Sequence, residues 1–422
     1  MGRGRDDQKC RRRDGNAVIT TREIGLVLLD IVTATLVLAP CAYLGALALI
    51  SLLPRASWPQ HTQPLTRLAV LVAAHDEEPV LERTIAAIHE ADGGEDLIVH
   101  VVADNCADRT AEVARRAGAC VHERHDPTRP GKAAALNWLA GQVLAEDRTS
   151  HAFVVIDADA RPERGFLLGL RRELASGALV VQTANLVDVD RTAPLSLLRD
   201  LAFHLMCELR PLAYQRLGLS AGLHGNGMCF TRTVLERYPW SEGSVVEDGD
   251  LHLRLVADRI KVAFAADAVV RSTMPVRFKE ATGQAIRWER GSFDLFGVGL
   301  RSLWSGMRTR DGSQLVAGYE VVIPPLSFLI AAGLVTAGLG TALADTGVAA
   351  ISAGALFGCA LYIARGIGLA RLRPSALLDI AIWAPSYVLW KLAILTRAAA
   401  GSGRGRWLQS RPGTTVARAV RD

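Results

Sequence analysis

Two charge-poor zones of membrane length bracket one long polar stretch, and that arrangement restricts the fold of this chain more than any other feature. Ile24–Leu53 carries a single charged residue, Asp30, and most of Tyr319–Leu395 is nearly as poor in charge. A bilayer core of about 30 Å is crossed by about 20 apolar helical residues, so each zone is long enough to span. The first zone is too long for the apolar core of a secretory signal, and no Ala-x-Ala-like site follows it, so it reads as a retained anchor. The late zone divides into Tyr319–Leu343, Val348–Leu369 and Ala376–Leu395, with Asp345 at the first break and Arg371, Arg373 and Pro374 at the second. Arg365, inside the second of these segments, is expected to snorkel or to face protein.

Composition agrees with this division. The apolar fraction is 50% before any of the 38 glycines is counted, whereas roughly 45–50% with glycine included is usual. A chain of 422 residues has room for one or two globular domains besides the spans. The net charge of +5 says little, but its clustering says more. Arg3, Arg5, Lys9, Arg11, Arg12 and Arg13 form a basic head, and Arg397, Arg404, Arg406 and Arg411 a basic tail. Beside membrane spans such clusters read as contacts with anionic lipid on the cytoplasmic side. Nucleic-acid binding is the weaker reading, because no aromatic platform or known motif accompanies them. The seven cysteines are odd in number and form no Cys-x-x-Cys pair, which fits free thiols in a reducing compartment.

Between the apolar zones the pattern alternates. A linker rich in Pro, Gln and Thr, Pro54–Pro64, is followed by Leu68–Ala74, an apolar run of strand length stopped by His75-Asp76-Glu77-Glu78-Pro79. Val80–Ala91 has Leu81, Ile85 and Ile88 at helical spacing. Leu97–Ala103 predicts a second buried strand halted at Asp104, and Asp108 a cap for a helix over Arg109–Ala117. A helix is predicted over Lys132–Leu144, then a third strand, Phe153–Ile156, ending on Asp157. Buried strands alternating with helices predict an α/β domain with a mostly parallel sheet and helices on both faces. Ligands bind at the carboxyl ends of such strands, where the acidic residues recur. Pro194–Leu217 and Arg290–Arg310 are bulky and amphipathic, and suit either the membrane interface or an ordinary core. The expected divisions are a basic head (1–23), an anchor (24–53), the α/β domain (65–290), an interfacial segment (291–318), transmembrane helices (319–395) and a basic tail (396–422).

The acidic series carries the chemistry. Asp157-Ala158-Asp159, directly after Phe-Val-Val-Ile, suits an oxygen-seeking cation such as Mg²⁺ or Mn²⁺. Asp-x-Asp alone is weak, since any turn can contain it; the strand before it strengthens the signal. Lys132, after Arg129-Pro130-Gly131, can set an ammonium against phosphate or be a solvated lysine of a first helical turn. Asp104-Asn105 also suits a plain turn, and Glu247-Asp248, before the helical run Leu251–Val256, also suits a helix cap. As a general base, Asp248 must be ionised within reach of a hydroxyl. Gly225-Asn226-Gly227-Met228 allows close backbone approach to a ligand and equally suits a turn before the strand at Cys229-Phe230. His75 and His224 lack a second histidine at ligand spacing.

Six stretches together resemble the family 2 glycosyltransferases of the GT-A fold, in particular the membrane-embedded group with cellulose, chitin and hyaluronan synthases. They are Leu-Val-Ala-Ala-His-Asp-Glu-Glu (71–78), Ala-Asp-Asn-Cys-Ala-Asp-Arg-Thr (103–110), Gly-Lys-Ala-Ala-Ala-Leu-Asn (131–137), Asp-Ala-Asp (157–159), Val-Glu-Asp-Gly-Asp-Leu (246–251) and Gln-Ala-Ile-Arg-Trp (284–288). The resemblance covers Leu68–Trp288 by motif and the flanking spans by architecture. It implies a GT-A-type, Rossmann-like sheet and an inverting transfer from a UDP-sugar, dependent on Mg²⁺ or Mn²⁺. Ala74, Asp76, Glu77 and Asp104 would border the uridine, and Lys132 would approach the diphosphate. Asp157 would lie near ribose and metal, with Asp159 the main metal ligand. Asp248 would be the catalytic base. Gln284, Arg287 and Trp288 would close over the diphosphate, with Arg287 stabilising the leaving group. Gly225, Asn226, Gly227 and Glu247 would lie on the acceptor side. Ala103 stands where many relatives have another acidic residue, and Val246 where Thr is common.

The implied function is sugar transfer to a saccharide acceptor at the cytosolic face of the plasma membrane, in polysaccharide or exopolysaccharide synthesis. Single-sugar transfer to a lipid is the alternative, and an inactive transporter or nucleotide-sensing module the reading from another class. Intact Asp159, Asp248 and Arg287 and the lack of an inverted repeat weigh against the last. A single crossing at the anchor would put the basic head outside, and three late crossings would put the tail outside, against the positive-inside tendency. Two arrangements relieve this: Pro40 divides the anchor into a shallow hairpin, or one late segment is re-entrant.

Overall fold

In the computed structural model the described residues are 21–54, 67–92, 97–188, 193–275 and 277–401. The basic head, most of the Pro54–Pro64 linker and the tail arginines Arg404, Arg406 and Arg411 lie outside them.

The first described elements are α1 (Thr21–Thr33), a π-helical turn (Ala34–Leu38) and α2 (Ala39–Ile50), which together make one candidate span, Glu23–Ile50. Pro40 therefore does not divide the anchor into a hairpin. It lies just past the widened turn, where its missing N–H and bulky ring are tolerated. The same device recurs at Pro211, which follows a π-helical turn at Leu205–Leu209.

The α/β domain follows the predicted alternation: β1 (Leu68–Ala74), α3 (Leu81–Asp92), β2 (Ile98–Asp104), α4 (Thr110–Arg116), β3 (Cys120–Arg124), α5 (Lys132–Glu146) and β4 (Ala152–Asp157). β1 is buried along its whole length, as expected of a strand covered on both faces. Its side chains alternate between two cores. Leu68, Val70 and Val72 pack with Leu81, Ile85 and Ile88 of α3, while Ala69, Leu71 and Ala73 pack with Leu136, Leu139 and Val143 of α5. Burying one such Leu or Val side chain stabilises by about 1.5–3 kcal/mol.

The second half is less regular. It contains β5 (Ala160–Pro162), α6 (Phe166–Ala175), β6 (Val180–Val187), α7 (Pro194–His204), α8 (Arg210–Arg216), β7 (Met228–Thr231), α9 (Arg232–Arg237), α10 (Glu247–Ala257) and β8 (Val262–Ser272). The sheet order is β3-β2-β1-β4-β7-β6-β8-β5. β1, β2, β3 and β4 pair in parallel, and so do β6 and β8. β7 is antiparallel to β4 and β6, and β5 to β8. The sheet is thus mixed, and parallel through its first half.

α11 (Phe278–Thr309) is a single helix running unbroken across the expected division at 290/291. One rigid rod therefore carries Gln284, Arg287 and Trp288 together with the exposed apolar side chains of Phe293, Phe296, Leu300, Trp304 and Met307. Arg310, left-handed at φ 53°, ends it. Asp311 then caps α12 (Gly312–Val322), accepting from the N–H groups of Ser313 and Gln314. Pro324 and Pro325 stop that helix, and α13 (Leu326–Ala342) continues at 69° to it. α14 (Thr346–Ala370), capped by Asp345, and α15 (Pro374–Ala399) are the last of the described helices.

Among the described residues three helices are long and apolar enough to cross a membrane, Glu23–Ile50, α14 and α15, and the bent α12–α13 pair makes a fourth if it spans as one. Arg365 faces protein, donating to Ser51 Oγ at 2.9 Å. The Pro194–Leu217 segment is core: Leu197, Leu198, Leu201 and Leu205 pack with Leu44, Leu47, Tyr362 and Ile380 of the apolar helices. That seam seats the α/β domain on the helix bundle.

Candidate active site

At the carboxyl ends of β1 and β4 the chain leaves the sheet in turns rich in acid. Asp157 ends β4, and its Oδ1 accepts from Lys132 Nζ at the start of α5. Lys132 Nζ also donates to Gly225 O at 2.6 Å, so one ammonium joins three segments. Asp159 follows two residues on, its pKa pushed up to about 6 by burial and then by the charge of Asp157. Glu77 is pushed up to about 8, first by burial and then by Asp159, Asp108, Asp157 and Asp76.

The second acidic pair opens α10. Burial raises Glu247 to about 7, with Lys132 acting in the opposite sense and the charge of Asp248 adding to the rise. Asp248 is also raised, mainly by burial, although its Oδ1 accepts from the Gly249 N–H at 2.9 Å. Gly225 lies against it at φ 73°, where an added Cβ would sit 3.3 Å from Asp248 Oδ2. Carboxylates held above their ordinary range and short of counter-charge form a surface that a cation would relieve.

α11 closes the opposite wall. Gln284 Oε1 accepts from Arg199 Nη2 of α7 at 2.8 Å. Burial lowers the Arg287 pKa, against the pull of Glu247. The Trp288 ring packs edge-on against Phe203, with 6.3 Å between centroids.

These groups surround one cavity of about 1740 Å³, larger than the 300–1,000 Å³ of an ordinary ligand pocket. Its wall includes Glu77, Lys132, Asp157, Asp159, Gly225, Glu247, Asp248, Gln284, Arg287 and Trp288. It continues past Trp288 into the apolar helices, to Tyr362, Ile380, Tyr387 and Leu395.

Five expected site residues lie outside that wall. Ala74 is fully buried in the sheet. Asp76, left-handed at φ 54°, accepts from the N–H groups of Ala107 and Asp108 and so ties the β1 and β2 loops together. The Asp104 carboxylate is buried and ion-paired with Arg124, which also holds Asp126 and the Arg129 carbonyl. Asn226 bridges Asp157 N and Ser272 Oγ. Gly227 is pressed on Thr183, whose Oγ1 would lie 2.0 Å from a Cβ there. All five brace the site from behind. Asp76, Cys106 and Asp108 also come within metal-ligand reach of one another, but Asp76 and Asp108 already accept backbone N–H groups there.

Several residues of the site carried no sequence signal. Gln182, fully buried on β6, donates to Asn226 O and accepts from His224 N, fixing the Gly225 loop. Arg199 fixes Gln284, and Lys391 of α15 pairs with Glu289 on α11. Each lies in a mostly apolar stretch, and only the tertiary fold brings its partner within reach.

Comparison with known proteins agrees with the fold. The sequence model of the family described as "Glycosyltransferase like family 2" matches residues 64–291. The probable glycosyltransferase YdaM of Bacillus subtilis (strain 168) is 26% identical over 253 residues, covering 56% of this chain and 57% of that protein. The chain thus matches little more than half the length of that curated relative. A solved mannosyltransferase of Pyrobaculum calidifontis, in complex with GDP-Man and Mn²⁺, superposes with a TM-score of 0.53 at 19% identity. That match covers 90% of this chain and 98% of the other, a likeness of fold.

Proposed function

The chain belongs to the family 2 glycosyltransferases, and from that premise we propose an inverting transfer of a sugar from a UDP-sugar to a saccharide acceptor. The reaction takes place at the cytosolic face of a membrane, in polysaccharide or exopolysaccharide synthesis. The observation that carries the reading is the convergence of Lys132, Asp157, Asp159, Asp248, Arg287 and Trp288 on one cavity wall.

Asp248 takes the proton of the acceptor hydroxyl as its oxygen attacks the anomeric carbon, and the bond to the diphosphate breaks from the opposite face. Burial raises its pKa, which makes it a stronger base than an ordinary aspartate. Lys132 and Arg287 receive the charge that grows on the departing diphosphate. Asp159 and Asp157 would hold Mg²⁺ or Mn²⁺, which when bound neutralises diphosphate charge. Two carboxylates suffice, because such ions take their remaining ligands from substrate oxygens and water. Trp288 offers a flat apolar face to a sugar ring. Glu247 and Gly225 line the acceptor side.

Nucleotide-sugars are cytosolic, which puts the α/β domain inside. The 69° bend at Pro324-Pro325 favours a re-entrant α12–α13 pair, so that only α14 and α15 cross after the domain and the basic tail returns to the cytosol. Cysteine-accessibility mapping tests this: labelling of residues 68–288 from outside would overturn the assignment.

The catalytic reading is tested by UDP release from a panel of UDP-sugars, with and without Mn²⁺, in wild-type and Asp248→Asn protein. Metal-dependent release that collapses in the variant is expected. Turnover of GDP-mannose with no UDP-sugar accepted would overturn the uridine assignment, and equal turnover by the variant would remove Asp248 as base.

A further inference from the structure

The cavity has two ends of different chemistry. Its polar end holds the carboxylates and Lys132; its far end is walled by Leu201, Ile330, Ile363, Ile380, Ala384 and Val388, on α7 and on the apolar helices α13, α14 and α15. A nucleotide-sugar fills the first end and leaves the second unused. A free glycan gains little from aliphatic walls, whereas a hydrocarbon chain gains from every apolar contact removed from water.

Arg199 lines the cavity between these ends. It is 5% exposed, and its guanidinium donates to Pro275 O at 3.1 Å, Met274 Sδ at 3.3 Å and Gln284 Oε1 at 2.8 Å. All three partners are neutral, and no carboxylate pairs with it among the described residues. Three other cations on this wall differ: Lys132 pairs with Asp157, Arg210 with Glu320 and Lys391 with Glu289. A buried charge ordinarily has a counter-charge, and a planar guanidinium matches phosphate.

We infer that the acceptor is carried on an acidic lipid whose phosphate-class linker is held at Arg199. Its hydrocarbon chain lies in the corridor between α7 and the apolar helices, and its saccharide hydroxyl reaches Asp248. This rests on the glycosyltransferase reading of the site. In the transfer step the lipid-borne hydroxyl oxygen bonds to the anomeric carbon. The carbon–diphosphate bond breaks with its electron pair on UDP, and the hydroxyl proton goes to Asp248.

The test uses the full chain in phosphatidylcholine nanodiscs, titrated with dodecyl phosphate, dodecanol and inorganic phosphate, with binding read from tryptophan fluorescence. UDP binding with Mn²⁺ is measured separately by calorimetry. Dodecyl phosphate is expected to bind about tenfold tighter than either other probe, as one charge-assisted contact implies. Arg199→Gln should erase that preference, and Arg199→Lys should keep most of it. Equal affinity for dodecanol and dodecyl phosphate, or a preference that survives Arg199→Gln, overturns the inference while UDP still binds. Inorganic phosphate binding as tightly as dodecyl phosphate removes the lipid component. Failure of UDP to bind the wild type sinks the glycosyltransferase reading instead.

Discussion

The two walls of the cavity are built differently. On one side, Asp157, Asp159 and Lys132 stand at strand ends and the first turn of α5, their positions set by the parallel register of β1, β2 and β4. On the other, Arg199, Gln284, Arg287, Trp288 and Lys391 ride on α7, α11 and α15, held by helix packing against the apolar bundle. The sheet side carries surplus carboxylate, and the helix side contributes most of the cations. In the proposed reaction the sheet side holds the metal and donor, and the helix side adds the cation that receives the leaving charge. Changes in the first half should therefore act on fold and donor, and changes in the second on acceptor and rate.

The largest expected effect tests where the halves meet. Asp248→Asn should lower kcat by about 10²–10⁴, the usual worth of a positioned general base, with donor KM nearly unchanged. Measured UDP release that falls only two- or threefold would move the base elsewhere. Next comes the sheet side. Arg124→Ala strips the counter-ion from Asp104, whose side chain is 1% exposed. Breaking such a pair costs about 3–5 kcal/mol, so thermal or denaturant unfolding should show a large loss. Arg287→Ala, on the helix side, should leave unfolding nearly unchanged and lower kcat. If both variants lose stability equally, the distinction between the walls fails.

Within the bundle, Gly358 of α14 lies so close to α2 that an added Cβ would sit 2.5 Å from Cys41 O. Gly358→Ala should therefore force the helices apart at a cost of about 1–3 kcal/mol, the usual range for overpacking. Calorimetric UDP affinity should be unaltered, because no donor-side group touches that contact. Loss of UDP binding would show that the two halves are coupled more tightly than the sheet register suggests.

What the sequence revealed follows the same division. β1 was readable to the residue because Leu68–Ala74 is an uninterrupted apolar run, and α5 and β4 because their patterns start and stop at Lys132 and Asp157. β6 was not readable, since buried Gln182, Thr183 and Asn185 break its apolar run while bracing the Gly225 loop. β3 escaped notice because most of its residues are partly or fully exposed. Pro40 suggested a hairpin, and the π-helical turn before it keeps the helix whole. Asp104 looks like a ligand-facing acid until Arg124, twenty residues later in the chain, is seen to pair with it. Arg199 has only neutral hydrogen-bond partners among the described residues, and no local pattern records that.

The finest distinction between the walls is one of charge. Asp248 must be ionised to accept a proton, and burial raises its pKa, so activity should fall as pH drops through that raised value. The ascending limb of kcat/KM should then lie above the ordinary aspartate value of about 3.9. Glu247, raised to about 7 partly by the charge of Asp248, acts back on it by the same repulsion, and the two titrate as a pair. Glu247→Gln removes that repulsion, so Asp248 should ionise more easily and the limb should move to lower pH. Arg287→Lys keeps its charge on the helix wall and should leave the limb in place. A limb that stays put in Glu247→Gln would mean that burial alone sets the base, and one that moves in Arg287→Lys would mean that the helix wall tunes it.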